Sequence, residues 1–432
     1  MIWNSEIECA SREQIKSLQF ERLKKTVKHV YDNVPFYRER LDAANASPDK
    51  IKTLSDVEQI PFTTKDDLRM NYPFKLFAVP KREIVRMHAS SGTTGKPTIV
   101  GYTRDDLNMW SECVARIICM SGATSEDIAQ ISFGYGLFTG ALGLHYGLEK
   151  VGCSVIPISA GNTEKQLMMM QDCETTVLVC TPSYALYISE VAEELGITSD
   201  KLKLKIGLFG GEGHTLAMNK EVERKLGILA LENYGLSEIV GPGVSGECPY
   251  KAGMHFAEDC FLPEIINPST GEVLPEGAEG ELVITTINKQ GFPLLRYRTK
   301  DITSLTSEKC ECGRTSLRMS KVKGRTDDML IIKGVNVYPS QIESVIVGME
   351  HISPYYQLVV TRKGYTDMLE VQVELIDGGL LEKFSELESV ETRLRTKLHS
   401  VLGLDCKVRL REPKAIERTA GKAKRVIDLR NQ

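Results

Sequence analysis

The segment Val177-Leu178-Val179-Cys180 is a short apolar run, and two similar runs follow it at Ile206–Phe209 and 228–231. The residues between these runs, 183–195 and 216–226, have a helical pattern, and each segment is closed by a glycine. Short apolar runs that alternate with helices are typical of βαβ units around a buried parallel sheet. This stretch therefore predicts an α/β fold.

The same alternation extends upstream, with an apolar run at 151–158 and a helical segment at 163–173. In parallel sheets of this kind, ligands bind beyond the carboxyl ends of the strands. We therefore expect a functional site at the turns 181–183, 210–214 and 233–238.

The pattern of predicted secondary structure changes twice after this stretch. Residues 270–306 are rich in turns and short strands, and a small α+β domain is expected after about residue 326. The segments expected in that domain are strands at 329–332 and on both sides of Lys363-Gly364, and helices at 340–347 and 381–401. The predicted division is a large N-terminal domain, 1–326, and a small C-terminal domain, 327–432.

Length and composition exclude several classes of protein. The 432 residues, enough for two or three domains, carry 54 Lys+Arg and 58 Asp+Glu, a net charge of −4 without the basic surplus of a general nucleic-acid binder. No apolar run reaches the ~18 residues that a membrane span requires, and the first residues do not form a secretion signal. Eleven scattered cysteines indicate reduced thiols in a cytoplasmic protein, not a disulfide framework.

The densest chemical signal is the stretch Ser90-Ser91-Gly92-Thr93-Thr94-Gly95-Lys96-Pro97. Its glycines allow backbone N–H groups to approach an anion closely, and its hydroxyls and lysine add donors that suit phosphate oxygens. The spacing is not that of a Walker A loop, because the glycines are too close together and Pro97 follows the lysine. An ordinary flexible turn is the alternative interpretation.

A second motif, Glu232-Asn233-Tyr234-Gly235-Leu236-Ser237-Glu238, follows the apolar run at 228–231. Its last carboxylate, Glu238, is suited to hold Mg²⁺ on a phosphate, since Mg²⁺ takes one or two carboxylates together with phosphate oxygens. The aromatic face of Tyr234 is suited to stack on a base. The alternative for Glu238 is a glutamate favoured by the dipole at a helix N-terminus.

A third motif is Arg296-Tyr297-Arg298-Thr299-Lys300-Asp301, in which the carboxylate of Asp301 is able to accept hydrogen bonds from both hydroxyls of a ribose. Its alternative is a surface charge cluster. Two more polar stretches lie further on, 324–328 with 333–339, and 417–425. Their alternatives are a domain linker and a solvated basic tail.

The cysteines and histidines contain one candidate zinc site. The turn Cys310-Glu311-Cys312-Gly313 offers two thiols, and the segment that starts at Cys248 and ends at His255 offers another thiol and an imidazole. Three cysteines and one histidine leave no position for water, so such a site would be structural. Cys260 is a rival for the fourth ligand, and reduced thiols without metal are the alternative, because the spacing departs from C-x₂-C.

Taken together and in this order, the five polar motifs resemble those of the adenylate-forming superfamily of acyl-CoA synthetases, luciferases and peptide-synthetase adenylation domains. The closer resemblance is to the phenylacetate–coenzyme A ligases, whose aryl-pocket segment is similar to residues 133–143. The stretches Thr181-Pro182-Ser183-Tyr184 and Gly241-Pro242-Gly243-Val244 resemble that family too. Two residues depart from its pattern: Ala141 replaces an expected glycine, and Cys260 an expected histidine.

The resemblance implies a large N-terminal domain with βαβ sheet layers and a small, mobile α+β C-terminal domain. It implies that a carboxylate attacks the α-phosphorus of ATP to form an acyl adenylate and pyrophosphate, after which coenzyme A displaces AMP. Lys422, Glu238 and Arg325 would then be catalytic, Asp327 would be the hinge, and Gly334 would line the coenzyme A tunnel. The implied ATP and AMP contacts are Ser90, Ser91, Gly92, Thr93, Thr94, Gly95, Lys96, Gly211, Glu212, Tyr234, Gly235, Ser237, Asp301 and Arg325.

The implied acid is phenylacetate, and the implied aryl pocket consists of Tyr135, Phe138, Ala141, Gly211 and Pro242. Ordinary core aromatics are an equal alternative for Tyr135 and Phe138. Cofactors and co-substrates would be ATP, Mg²⁺ on Glu238, coenzyme A and a zinc ion on Cys248, His255, Cys310 and Cys312. No nucleic-acid or membrane partner is expected, and a homodimer is left open.

Three alternatives to this function remain open from the sequence. The acid could be indoleacetate or another aryl acid. The acyl group could pass to an amine or a carrier protein instead of coenzyme A. A binding protein on a retired ligase fold is the third, and the presence of Glu238, Asp301, Arg325 and Lys422 together argues against it.

Overall fold

The computed structural model describes residues 1–90, 97–213, 215–333, 335–363, 366–419 and 421–430. Within these residues the chain forms an N-terminal domain, which ends with a short strand at Gly324–Arg325, and a C-terminal domain, which begins with the strand Leu330–Ile332. Each domain encloses apolar core residues of its own.

The N-terminal domain alternates helices and strands. Its helices are α1 (Ser5–Glu8), α2 (Arg12–Asn33), α3 (Pro35–Ala43), α4 (Lys65–Met70), α5 (Arg104–Ser121), α6 (Gly140–Val151), α7 (Thr163–Asp172), α8 (Pro182–Glu194) and α9 (Leu216–Leu226). Its strands are β1 (Arg86–Ala89), β2 (Ile99–Tyr102), β3 (Ile128–Ile131), β4 (Ser154–Ile156), β5 (Val177–Cys180), β6 (Ile206–Phe209), β7 (Leu229–Leu236), β8 (Gly241–Glu247), β9 (Met254–Phe256), β10 (Phe261–Ile266), β11 (Gly280–Thr286), β12 (Tyr297–Thr303), β13 (Leu305–Thr306), β14 (Arg318–Met319) and β15 (Gly324–Arg325).

The largest sheet has nine strands in the order β13-β14-β9-β8-β7-β6-β5-β3-β4. The part from β4 to β7 is parallel, and the part from β7 to β13 is antiparallel. This arrangement confirms the predicted βαβ units, and β5 and β6 coincide with the predicted apolar runs.

Burial on both faces explains why β5 is continuously apolar. Val177 and Val179 lie in a core with residues of α5 and α6, while Leu178 and Cys180 lie in a second core with residues of α7, α8 and α9. A polar residue at any of these four positions would therefore enter one of the two cores.

Two predicted boundaries are wrong. The predicted apolar run 151–158 is divided, because Val151 ends α6 and only Ser154–Ile156 forms a strand. The strand expected at 228–231 continues to Leu236, because its polar second half pairs antiparallel with β8. The motif expected after this strand therefore lies largely inside it.

A second, antiparallel sheet of four strands has the order β10-β11-β12-β15. Its last pair places Asp301 of β12 directly opposite Arg325 of β15. This register brings together two residues that are 24 positions apart in the sequence.

The C-terminal domain is α+β, as predicted. Its elements are β16 (Leu330–Ile332), β17 (Val335–Val337), α10 (Pro339–Ile346), β18 (Ile352–Lys363), β19 (Thr366–Leu375), α11 (Phe384–Leu402), β20 (Lys407–Arg411) and β21 (Val426–Asp428). The main sheet has the order β20-β19-β18-β21. Helix α11 buries Val390, Leu394, Leu398 and Leu402, whose four-residue spacing places them on one face.

Across the described ranges, the structure has no helix whose length and apolar character would suit it to cross a membrane.

Candidate active site

The centre of the candidate site is Asp301, a buried carboxylate on β12, next to the edge strand β15 of the four-stranded sheet. The Tyr234 hydroxyl donates to Oδ2 at 2.5 Å, and Nη1 of Arg325 donates to Oδ1 at 3.1 Å. Burial raises the pKa of Asp301, and the Arg325 guanidinium opposes that rise. Burial also raises the pKa of Tyr234, so its hydroxyl keeps its proton and remains a donor.

Arg325 also holds Asp327, the predicted hinge. Its Nε lies 2.9 Å from Oδ1 and its Nη2 lies 3.1 Å from Oδ2, which gives a bidentate pair. Burial works against ionisation, but the guanidinium holds the pKa of Asp327 below its ordinary value. One arginine therefore links the predicted ribose-binding carboxylate to the boundary between the domains.

Glu238 lies in the turn that follows β7, and its side chain is almost fully buried. Nζ of Lys65, the first residue of α4, lies 3.5 Å from Glu238 Oε1. The neighbouring Ser237 hydroxyl lies 3.0 Å from that of Thr139, just before α6. The turn therefore gathers a carboxylate, a cation and two hydroxyls in one place.

A second lysine, Lys289, bonds to the backbone of this turn. Its ammonium donates to the carbonyl of Ile239 and lies 4.8 Å from the ring centroid of Tyr102. Burial lowers the pKa of Lys289 to about 7, although Asp106 and Glu238 favour its charged form. Sequence analysis missed both Lys65 and Lys289, because their partners lie far away along the chain and neither belongs to a dense motif.

The loop that carries Lys422 docks at the carboxyl ends of β5 and β6. The carboxylate of Glu212 accepts from the backbone N–H of Ser183 at 2.8 Å and from that of Ala423 at 3.0 Å. The Thr181 hydroxyl lies 3.4 Å from the carbonyl of Gly421. Both neighbours of Lys422 are therefore bound to the N-terminal domain, and Glu212, predicted to frame adenine, bonds to the lysine loop.

Close backbone packing explains the glycine at position 235. A Cβ there would lie 1.8 Å from the carbonyl oxygen of Gly241. Gly211 has φ of +83°, and its nearest neighbours are Phe133 and Thr181. A side chain at Gly235 would therefore collide with the backbone of β8, and at Gly211 the positive φ disfavours any residue that has a Cβ.

The predicted aryl-pocket residues occupy different environments. The Tyr135 hydroxyl lies 3.0 Å from Nδ1 of His145, whose Nε2 lies 3.1 Å from Glu149 Oε1. Ala141 is fully buried, and Pro242 accepts a bond from the indole of a core tryptophan. Phe138 is 50% exposed, which excludes an ordinary core aromatic at that position.

Part of the predicted site lies outside the described residues, namely Ser91, Gly92, Thr93, Thr94, Gly95 and Lys96 of the phosphate loop, and Gly334 of the coenzyme A tunnel. Ser90 is described, and its Oγ accepts from the backbone N–H of Thr98 at 3.2 Å. Strands β1 and β2, which flank the loop, pair antiparallel. The hydrogen bond from Ala89 N–H to the Leu137 carbonyl ties this hairpin to the predicted aryl segment.

The four predicted zinc ligands lie together at the antiparallel end of the large sheet. One donor atom from each of Cys248, His255, Cys310 and Cys312 falls within 4.8 Å of all the others. Sγ of Cys312 lies 3.3 Å from His255 Nε2, and burial lowers the pKa of this imidazole to about 3, which keeps it neutral. The rival ligand Cys260 contacts Cys113 instead, at 3.6 Å.

Comparison with protein families places the chain in a class. Residues 5–288 match the AMP-binding enzyme family, and residues 334–430 match the AMP-binding enzyme C-terminal domain. The two matched segments correspond to the two domains of the structure, so the chain is an adenylate-forming enzyme.

Within that class, the chain is 49% identical to the phenylacetate-coenzyme A ligase of Escherichia coli over 98% of this chain and 97% of the relative. It is 47% identical to the enzyme of the same name from Thermus thermophilus over the whole of both chains. The chain belongs to the phenylacetate-coenzyme A ligase family, which confirms the resemblance drawn from its motifs.

The structure is also similar to solved structures of a 2-hydroxyisobutyryl-CoA ligase, which is 28% identical to this chain. The TM-score is 0.93 to the ligase in the postadenylation state with an acyl-AMP, over 99% of this chain and 92% of the ligase. It falls to 0.73 for the same ligase with coenzyme A in the thioesterification state, over 100% and 93%. The structure of this chain is therefore more similar to that ligase in its postadenylation state than in its thioesterification state.

Proposed function

We propose that this enzyme uses ATP to ligate phenylacetate to coenzyme A through an acyl adenylate, with release of AMP and pyrophosphate. The observation that carries the proposal is the hydrogen-bonded group of Tyr234, Asp301 and Arg325 in a chain of this family, whose lysine loop is also bonded to the N-terminal domain through Glu212. A buried carboxylate with one free lone-pair direction per oxygen is suited to a ribose diol.

In the first half-reaction, a substrate carboxylate oxygen bonds to the α-phosphorus while the bond to the bridging oxygen of pyrophosphate breaks. Several negative charges meet at that point, so the step depends on fixed and mobile cations more than on covalent help. Lys422 supplies a mobile point charge to the carboxylate and the α-phosphate. Residues 90–96 hold the β- and γ-phosphates, and Lys65 adds a further positive charge beside Glu238.

Glu238 is the residue proposed to hold Mg²⁺. A carboxylate in a turn with the hydroxyls of Ser237 and Thr139 offers the hard oxygen donors that this ion prefers, and phosphate oxygens would complete its shell. When bound, the ion neutralises charge on the triphosphate. The bond from Lys289 to the carbonyl of Ile239 stabilises the turn that carries Glu238. The position of the Glu238 carboxylate, and with it that of the ion, would therefore be fixed.

In the second half-reaction, the thiolate of coenzyme A bonds to the acyl carbon, and AMP leaves with the electron pair of the acyl–oxygen bond. Lys422 is not needed for that step, so we propose that the C-terminal domain withdraws it. The domain boundary then lies at 326/327, Asp327 is the hinge, and Gly334 lines the tunnel for the thiol.

The proposed acid pocket consists of Tyr135, Phe138, Ala141, Gly211 and Pro242. Support comes from the relatives named above and from the link between segment 133–143 and the phosphate-loop hairpin. This link supports a pocket next to the phosphates, which a reaction between carboxylate and α-phosphorus requires.

We further propose a structural zinc ion on Cys248, His255, Cys310 and Cys312. Three thiols and a neutral imidazole are the donor set of closed zinc sites, and the described cysteines are all free thiols. The zinc would stabilise the antiparallel end of the large sheet and takes no part in the reaction.

A screen of aryl acids with ATP and coenzyme A tests the function. Release of AMP and formation of an acyl-CoA should be fastest with phenylacetate, and slower with indoleacetate and benzoate. Steady turnover should require coenzyme A. Absence of AMP with every arylacetate, or an acyl product on an amine or carrier protein instead of coenzyme A, would contradict the proposal.

A further inference from the structure

We propose that Arg418 and Glu190 form a latch that holds the C-terminal domain in the adenylation arrangement and so positions Lys422. The inference rests on the proposed function, because it concerns which half-reaction the docked arrangement serves. Arg418 touches no reacting atom, so its role is that of a positioning residue.

The contact between the two domains at Arg418 is bidentate. Its Nε lies 3.1 Å from Glu190 Oε2 and its Nη2 lies 2.9 Å from Oε1. Glu190 belongs to α8 of the N-terminal domain, whose first turn also bonds to Glu212 beside the lysine loop. Planar pairing of this kind fixes direction as well as distance.

Inside its own domain, Arg418 contacts Glu374 and Tyr355. Nη1 donates to Glu374 Oε1 at 2.6 Å, and the guanidinium lies 3.4 Å from the ring centroid of Tyr355. Glu374 also accepts from the backbone N–H groups of Lys414 and Ile416. Arg418 is therefore a fixed part of the C-terminal domain, presented toward α8.

Burial decides which of the two ion pairs can open. The Glu374 side chain is 1% exposed, so removal of its partner would leave an uncompensated buried charge. The Glu190 side chain is 24% exposed and regains water when the domains part. Domain rotation therefore breaks the Glu190 pair and keeps the Glu374 pair, as a reversible latch requires.

The latch acts on Lys422 through the length of the chain. Lys422 lies four positions after Arg418, so an anchored Arg418 keeps the Cα of Lys422 within about 14 Å of its own Cα even if the loop is fully extended. The bond between Gly421 and Thr181 and the bond between Ala423 and Glu212 restrict the position of Lys422 further.

The test compares Glu190→Gln with the matched control Glu194→Gln. Both glutamates lie on α8, and each pairs with a basic residue of the C-terminal domain. The Glu194 pair with Lys414 differs because it is exposed and engages only one carboxylate oxygen. Glu190→Gln should slow phenylacetate-dependent ATP–pyrophosphate exchange by about tenfold or more, tenfold being near the lower end of what close charge pairs contribute across an interface. Thioester formation from supplied phenylacetyl adenylate should stay within about twofold, and Glu194→Gln should change neither rate.

A second measurement does not depend on the substrate. The backbone N–H of Thr215 donates to Glu343 across the domain contact, as that of Ala423 does to Glu212, so exchange of these amide hydrogens reports docking. Glu190→Gln in the full chain should speed both exchanges, and Glu194→Gln should not. In an Arg418→Gln background, Glu190→Gln should add no further change.

Equal exchange in wild type and Glu190→Gln, or an equal loss of both half-reactions, would overturn the latch. If wild type itself shows no exchange of pyrophosphate with any arylacetate, the proposed function fails, and the amide measurement still decides whether Glu190 holds the domains together.

Discussion

Burial of Lys289 costs folding free energy, because its amino group is enclosed between the rings of Tyr102 and Phe292. Its pKa is about 7 in the folded protein, against 10.5 for an ordinary lysine. Between these values the unfolded chain holds a proton that the folded chain has lost. Folding is therefore penalised increasingly as the pH falls from about 10.5 to 7.

We predict that Tm of the wild type rises relative to that of Lys289→Met as the pH is raised from 7 to 10. Comparison with the variant cancels the titration of all groups that the two proteins share. Parallel Tm curves over this interval would show that Lys289 keeps its proton in the folded protein.

At the scale of single residues, the sequence predicted a site from residues that stand in dense motifs, and the structure brings some of these residues together. Asp301, Arg325 and Glu238 are examples, and the first two pair across β12 and β15. The contacts of Lys65 with Glu238 and of Arg418 with Glu190 could not be predicted. In each pair the two residues are more than 150 positions apart, and sequence spacing does not reveal such contacts.

Among the elements, the loop between β13 and β14 is held by the four proposed zinc ligands. It brings Cys310 and Cys312 to Cys248, which follows β8, and to His255 on β9. Metal bound to these side chains stabilises the folded state alone, because the unfolded chain does not bring them together.

We predict about one zinc per chain by elemental analysis, and a fall in Tm of at least ~5 °C on chelation, because binding well above its dissociation constant contributes several kcal/mol. Cys312→Ser should lower the zinc content, whereas Cys173→Ser, at a half-buried position just after α7, should not. ATP should not protect against the chelator. A protein with far less than one zinc and an unchanged Tm on adding zinc would refute the site.

Strand β7 shows where element boundaries escape sequence patterns. Glu232 and Asn233 are polar, so the strand was expected to end before them. Both are buried in the structure, where Glu232 pairs with Lys321 at 2.6 Å and Asn233 bonds to the carbonyl of Phe209. Long-range partners satisfy these groups, and no local pattern reports such partners.

For the molecule as a whole, the order of motifs predicted two domains and a mobile lysine, but not how the domains meet. The contact depends on pairs such as Glu212 with Ala423 and Glu343 with Thr215, which join segments more than 120 residues apart. The structure is more similar to a 2-hydroxyisobutyryl-CoA ligase in its postadenylation state than in its thioesterification state, which supports the proposal that this arrangement serves the first half-reaction.

The central claim is that one site makes an acyl adenylate with Lys422 docked and a thioester with Lys422 withdrawn. The most direct measurement is exchange of labelled pyrophosphate into ATP, with phenylacetate and without coenzyme A, for wild type and Lys422→Ala. Wild type should exchange, and the variant should lose about 10²-fold or more, as when a charge-stabilising group is removed. The variant should still convert supplied phenylacetyl adenylate and coenzyme A to thioester at close to the wild-type rate. No exchange by wild type, or an equal loss of both half-reactions in the variant, would contradict the account.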